Sequence, residues 1–432
     1  MKKIVIIDSQ EQRFEQDVLQ FMNWLNKAYF NTEGDIVINL AFQEEKTIFS
    51  LEHLHPLGNI VVFDSIRRFK YAPAFDTFPL MWAKNFYELG YSVYLFPRPK
   101  NKGEDEKVKS FLRNINPILL FNPPLSLDTG YPIIKIVQEV PLWEGGGLSI
   151  KEMQAIKEKT EQCFVFCVER SWCKILREFG IKNVYFLPHF APLEICYPTE
   201  HLEKSYDISF VGNLMRPQCN LPSEIKRLVD GHLKKKKEDY GYQFLSLLDK
   251  DIFELYNKAQ GWEIMKAVHT NLGFHYENMR YFILSKLAEK YKITLWGWPW
   301  CIPEEFKKHP NIDYKGPARW VYLPIIFGLS KINLNVHRIV YDYATQERTF
   351  MFAFCKAFFL TDYKEIFKDF FPEVYKEITF RDISELNVKV DYYLTHESER
   401  REIVNYLYKE AISHHTMKQR AKQILKVMRG GK

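Results

Sequence analysis

The chain has 432 residues, too many for one ordinary core and enough for two domains of roughly 200 residues each. Hydrophobic residues make up 46% and charged residues 26%, the balance of a soluble globular protein. The 60 Lys and Arg nearly match the 54 Asp and Glu, and a net charge of +6 argues against a dedicated nucleic-acid binder.

Residues 3–8 read as a strand, but its apolar run of four residues is too short for a signal peptide. No stretch approaches the ~20 apolar residues of a membrane helix. Residues 12–29 carry helical spacing through Phe14, Val18, Phe21, Trp24 and Leu25. Short apolar runs follow at 36–41 and 59–64, a helix at 78–89, a strand at 92–97 and a helix at 108–114. Strands at 117–122 and 133–137, a helix at 149–161, a strand at 163–168, a helix at 171–179 and a strand at 184–187 complete the first half. Strand–helix units of this length predict a mostly parallel sheet covered on both faces.

Pro192, Pro198 and the polar residues 199–205 break the pattern, so the domains divide there, into 1–200 and 201–432. The second series opens with a strand at 206–211. It continues with a charged helical insertion at 220–288 and a strand at 293–296. A helix at 321–328, a strand at 332–336, a helix at 349–356 and a strand at 358–361 follow, and residues 384–428 read as helical. Two Rossmann-like domains facing a cleft, with a helical insertion and a helical C-terminus, predict an α/β fold of GT-B-like architecture. Open parallel sheets bind ligands at their carboxyl strand ends, here at the cleft.

The seven cysteines are scattered and Cys163, Cys167 and Cys173 form no CxxC pair, so neither zinc nor an iron–sulfur cluster is expected. Reduced thiols and a cytoplasmic location are expected instead. The one dense basic run, residues 234–237, reads as a solvated helix end, with acidic lipid as the alternative partner. Aromatics at 16% predict a bulky core, with some rings available to a sugar or a base.

The strand at 206–211 ends in Gly212-Asn213, with Arg216 just beyond. Glycine lets backbone approach a ligand, and an arginine there can neutralise a diphosphate. The strand at 293–296 ends in Trp296-Gly297-Trp298-Pro299-Trp300, where indoles could face a base or plug the domain edge. The strand at 332–336 runs into a loop with His337, Arg338, Gln346, Glu347 and Arg348, and then into an apolar helix with Thr349 and Phe350 in its first turn. Strand, cationic loop and helix N-terminus together suit a diphosphate. In the first domain Glu139 and Glu144 bracket a glycine-rich stretch, and either carboxylate could act as a base toward a sugar hydroxyl. Glu169, Arg170 and His189 also sit at strand ends, where cleft residues or structural residues both occur.

Residues 206–214, 293–298, 314–338 and 346–362 resemble the C-terminal domain of group-1 GT-B glycosyltransferases, closest to the bacterial spore-maturation-protein type. The pieces are Phe210-Val211-Gly212-Asn213, Trp296-Gly297, Tyr314-Lys315-Gly316, the KINLNVHR strand, QERTF at 346–350 and Leu360-Thr361-Asp362. The resemblance implies a nucleotide-sugar donor held mainly by the C-terminal domain, with Gly212 and Asn213 near the diphosphate and Arg348 at the loop before the donor helix. Such relatives carry a glutamate after the helix phenylalanine, for the ribose; this chain has Met351 there, and Lys356 where they favour small residues. A glutamate restored at 351 is therefore expected to tighten nucleotide binding.

The expected function is metal-independent transfer of a sugar to an unidentified glycan, lipid or protein, with no cofactor beyond the co-substrate. Glu139 is the first candidate base and His189 the second. The alternatives are a catalytically inactive nucleotide- or sugar-binding protein on the same scaffold, and a GT-B-fold nucleotide-sugar epimerase. Peripheral membrane contact stays open, because Lys2, Lys3 and the run at 234–237 are too few to decide it.

Overall fold

The computed structural model describes residues 41–43, 46–64, 78–97, 102–142, 147–214, 221–274, 278–318 and 322–430. The expected elements at 3–8 and 12–29, most of the run at 36–41, and the candidates Glu144 and Arg216 lie outside the described residues.

The first sheet contains β1 (Ala41–Gln43), β2 (Lys46–Leu51), β3 (Asn59–Asp64), β4 (Ser92–Pro97), β5 (Leu119–Phe121), β6 (Ile133–Val137), β7 (Cys163–Cys167) and β8 (Val184–Phe186). Its order is β1-β2-β4-β3-β5-β6-β7-β8, parallel from β4 to β8, with β1 and β2 joined antiparallel at one edge. That antiparallel edge breaks the strand–helix alternation on which the sequence reading relied. Helices α1 (Phe78–Tyr87), α2 (Lys102–Ile115), α3 (Ile150–Glu158) and α4 (Arg170–Phe179) make the crossovers. Local chemistry fixes their ends. Ser149 and Glu152 form a capping box that opens α3, and Gly180 closes α4 at a φ of 107°, which a side chain would strain.

The second sheet contains β9 (Tyr206–Val211), β10 (Ile293–Trp296), β11 (Ile312–Gly316), β12 (Ser330–Asn335), β13 (Phe359–Asp362) and β14 (Thr379–Phe380), all parallel, in the order β11-β10-β9-β12-β13-β14. Between β9 and β10 the expected helical insertion is present as α5 (Ser223–Glu238), α6 (Phe244–Leu255), α7 (Lys258–Phe274) and α8 (Asn278–Ala288). Later come α9 (Leu323–Gly328), α10 (Glu347–Phe354), α11 (Ile383–Thr395), α12 (Glu397–His414) and α13 (Met417–Met428).

β12 lies at the middle of this sheet and is buried along nearly its whole length, although its sequence alternates Ile332 and Leu334 with Asn333 and Asn335. Its asparagines are tolerated because they are bonded. The Ser209 hydroxyl donates to Asn333 Oδ1 at 3.0 Å, and Asn333 Nδ2 donates to the Phe327 and Phe358 carbonyls. The last helix does not stay with the second sheet. Met417, Ala421, Ile424 and Leu425 of α13 pack into the core beneath the first sheet with Met81 and Trp82 of α1. Buried Arg420 donates to the Pro188 and His189 carbonyls, fastening the end of the chain to the loop after β8.

Candidate functional site

The carboxyl ends of β9, β10 and β11 meet at one place. The Gly212 N–H donates to the Trp296 carbonyl at 2.9 Å, and the Gly297 N–H donates to the Gly316 carbonyl at 3.0 Å. A Cβ on Gly297 would stand 2.6 Å from the Gly212 oxygen, so bare backbone is required where these two turns touch. Arg348, the second residue of α10, reaches the same turn. Its guanidinium carbon lies 5.8 Å from the centre of the Phe210 ring, and Nη1 lies 3.5 Å from where a Gly212 Cβ would be. Gln346, the N-cap of α10, makes no side-chain cap bond, so the helix end presents amides rather than a capping oxygen. Asn213 follows Gly212 and is half-buried. Beside the turn, Trp298 and Trp300 stack on one another at 4.9 Å and are 43% and 74% exposed. They form an open aromatic face rather than a plug.

The structure separates the rest of the motif from this surface. His337 is buried, with Nδ1 2.6 Å from Asp362 Oδ1 and Nε2 2.7 Å from the Thr345 hydroxyl. Both ring nitrogens are engaged, so it does not offer the cationic edge expected of a diphosphate ligand. Thr349 is fully buried between Asn335 Nδ2 at 2.9 Å and the Thr345 hydroxyl at 2.5 Å. Phe350 packs on His415 and Phe370. These residues form a polar column and core layer beneath the loop. Met351 is 1% exposed and belongs to the core, so no ribose pocket opens at its position. Lys356 turns away to Glu200, at 2.9 Å.

Asp362 anchors the column. Burial pushes its carboxyl pKa up, but the charges of His337 and Lys364 and two hydrogen bonds from His337 outweigh this and hold it well below the usual carboxylate range. Lys364 Nζ is 3.4 Å from Asp362 Oδ2 and donates to the Tyr341 carbonyl at 2.6 Å.

Across the cleft, the first domain grips the loop at 338–344. Arg338 Nη1 meets Glu139 Oε2 at 2.6 Å, which joins a donor-side candidate to an acceptor-side candidate in one ion pair. Trp172 Nε1 donates to the Val340 carbonyl at 3.3 Å, and the Tyr341 hydroxyl lies 3.0 Å from His189 Nε2. Glu169 is fully buried, and its carboxylate accepts the N–H groups of Tyr343 and Ala344 as well as the N–H and hydroxyl of Ser171. Burial and then Asp342 raise the Glu169 pKa, while the backbone amides oppose them. His189 Nδ1 is 3.8 Å from Glu347 Oε2, and burial lowers the His189 pKa to about 4, so the ring is neutral at pH 7.

The sequence reading missed the outer support. Arg280 of α8 donates Nε to the Val336 carbonyl and Nη2 to Gln346 Oε1. Asp342 accepts the Leu245 and Ser246 N–H groups at the start of α6. No local signal could have found these, since each joins residues tens of positions apart. Among the described residues, no group of three His, Cys, Asp or Glu is placed to hold a metal ion, and no helix is long and apolar enough to cross a membrane.

Residues 280–426, from α8 into α13, match the protein-family model described as glycosyl transferase-like. No curated protein matches the chain. HepE of Anabaena, solved with UDP-glucose, is similar with a TM-score of 0.50 at 8% identity, covering 86% of this chain and 100% of that one. A glycosyltransferase from Rickettsia africae gives 0.50 at 9%, over 86% and 98%. The T4 phage glucosyltransferase solved with its UDP-glucose substrate gives 0.47 at 11%, over 86% and 99%. At these identities the likeness concerns the fold. Residues 280–426 thus carry a glycosyl transferase-like domain, and the chain as a whole has a two-domain fold of GT-B type.

Proposed function

We propose that this chain moves a sugar from a nucleoside-diphosphate sugar to an acceptor hydroxyl on a glycan, lipid or protein, without a metal ion. One observation carries the reading: two side-chain-free turns and an arginine meet at the strand ends of the second domain, and the uncapped helix that bears this arginine starts at Glu347, 3.8 Å from His189. Gly212 and Gly297 would let the diphosphate approach backbone, while Arg348 and the α10 amides offset the charge that grows on the leaving group. Trp298 offers a face for the base.

The C1–phosphate bond breaks as the acceptor oxygen bonds to C1, and the hydroxyl proton passes to the base. Glu139 is the first choice because its side chain is part-exposed at the end of β6. It must leave Arg338 to act, and entry of the acceptor would supply the competing contact. Neutral His189 is the second choice. Such a base favours an inverting course. The spore-maturation-like character rests on the motif resemblance at 331–338 and 346–362. A cytoplasmic site suits the six described cysteines, all of them buried thiols.

The test is calorimetric titration with UDP, GDP, ADP and CMP, each with and without EDTA. UDP comes first because HepE is described with UDP-glucose. Saturable, EDTA-insensitive binding that falls by roughly 1.5–3 kcal/mol in Arg348→Ala supports the reading. Unchanged affinity in that variant removes Arg348 from the site, and silence toward every nucleotide removes the function.

A further inference from the structure

A second cleft of about 460 Å³ lies between α4 of the first domain and helices α6 and α7 of the insertion. This volume is within the range that takes a small ligand. Its inner wall carries Phe253 and Trp262, whose rings meet edge to face at 5.1 Å. Phe179 braces Trp262 from another side at 5.2 Å, so the indole is held in place before any ligand arrives. Asp249 also lines the cleft. It is 6% exposed, its Oδ1 is bonded to His269 Nε2 at 2.9 Å, and its Oδ2 has no hydrogen-bond partner. His269 in turn donates Nδ1–H to the Pro141 carbonyl at 2.7 Å, so both ring nitrogens donate and the ring holds the carboxylate still.

The rim is charged but balanced. Lys174, Lys250 and Lys258 stand against Glu178 and Glu254, with Asp249 deeper in. Two of the cations lean on neighbouring carboxylates, Lys174 on Glu178 at 4.0 Å and Lys250 on Glu254 at 3.4 Å. This balance selects a ligand class. A phosphate would meet three carboxylates, and an apolar ligand would strand the polar groups without partners. A neutral polyol satisfies both kinds of rim group, because each hydroxyl donates to a carboxylate and accepts from an ammonium. The C–H face of a pyranose ring also suits an indole wall.

We propose that this cleft is an accessory carbohydrate subsite that holds a neutral saccharide unit of the acceptor. Its assignment to the acceptor rests on the glycosyltransferase reading; the binding of saccharide does not. Running along α4, whose N-terminal residues Arg170 and Ser171 follow the β7 strand end at the cleft, the subsite would seat a unit of a glycan whose reacting end lies at Glu139. The subsite would thus favour chain-like acceptors over free monosaccharides.

The test is saturation-transfer NMR on the full chain with maltotriose, cellotriose and chitotriose, with and without saturating UDP. At least one trisaccharide should give transfer that UDP leaves in place. Affinity should fall about tenfold in Trp262→Ala, the scale of one lost aromatic contact with its burial. The double variant Glu178→Ala/Lys258→Ala changes only exposed rim residues and should weaken binding as well, which guards against a folding defect at Trp262. Silence from all three trisaccharides, transfer abolished by UDP, or binding that survives both variants would overturn the subsite. UDP titration run alongside keeps the two readings apart: normal UDP binding with silent trisaccharides refutes the subsite and leaves the donor site standing.

Discussion

Asp362→Asn tests whether the column beneath the loop at 338–346 is held by charge. In the native chain the carboxylate accepts the His337 N–H at 2.8 Å and faces His337 Nδ1 at 2.6 Å and Lys364 Nζ at 3.4 Å. Asparagine keeps one acceptor oxygen but cancels the charge. Lys364, 1% exposed, then remains beside Lys236, also 1% exposed, with its counter-ion gone. Breaking one side of a buried ion pair costs about 3–5 kcal/mol, and that is the loss expected at pH 7. Urea unfolding followed by circular dichroism, with the midpoint shift converted through the m value, measures it. Acid should narrow the difference. The native Asp362 is more acidic folded than unfolded, so below about pH 4 the unfolded chain takes up the proton first and the wild type loses the contribution that the variant already lacks. A loss under about 1 kcal/mol at pH 7, the scale of an exposed pair, or a gap that widens on acidification, would refute the buried-charge account.

Gly297→Ala places a methyl 2.6 Å from the Gly212 carbonyl oxygen, so the two turns must part. Calorimetry should show UDP affinity falling by about tenfold or more, with a stability loss of about 1–3 kcal/mol from overpacking. Met351→Glu puts a carboxylate at a 1% exposed core position and should cost on the order of 3–5 kcal/mol in thermal or urea unfolding, rather than tighten nucleotide binding. A wild-type melting temperature for that variant would show that the helix face opens to the cleft. Arg338→Ala breaks a pair whose side chains are 16% and 35% exposed, so stability should change by no more than about 1 kcal/mol.

The fold was legible where periodicity and strand ends are local. β9, β10 and β6 fall at their expected bounds, because buried parallel strands leave short apolar runs between turn residues. The insertion at α5–α8 was legible for the same reason, as helix-rich sequence without strands. What the motif could not reveal is which side of the backbone each residue faces. His337 and Arg338 are neighbours, yet one closes into the Asp362–Thr345 column and the other crosses to Glu139. Successive residues after a strand point to opposite faces, and only the packing of β13 and the loop at 341–346 decides which face is core. Met351 failed in the same way: resemblance placed it at a ligand, and the packing of α10 buries it.

The loop at 338–344 links these observations into a constraint on mechanism. It belongs to the second domain by sequence, yet Glu169, Trp172, His189 and Glu139 of the first domain all bond to it. Not all of these contacts can be equally permanent. Glu169 is fully buried with four donors around its carboxylate, and releasing it would leave the Tyr343 and Ala344 amides unpaired at about 1–3 kcal/mol each. The Arg338–Glu139 pair is part-exposed, and water or an acceptor hydroxyl can replace either partner at little cost. Access to the cleft is therefore expected to open at Arg338–Glu139 while the loop stays seated on Glu169. The hinge and the gate then lie within seven residues of one loop. Amide exchange would separate them: Tyr343 and Ala344 should stay protected with and without UDP, and protection at those two amides that vanished in the free protein would place the hinge elsewhere.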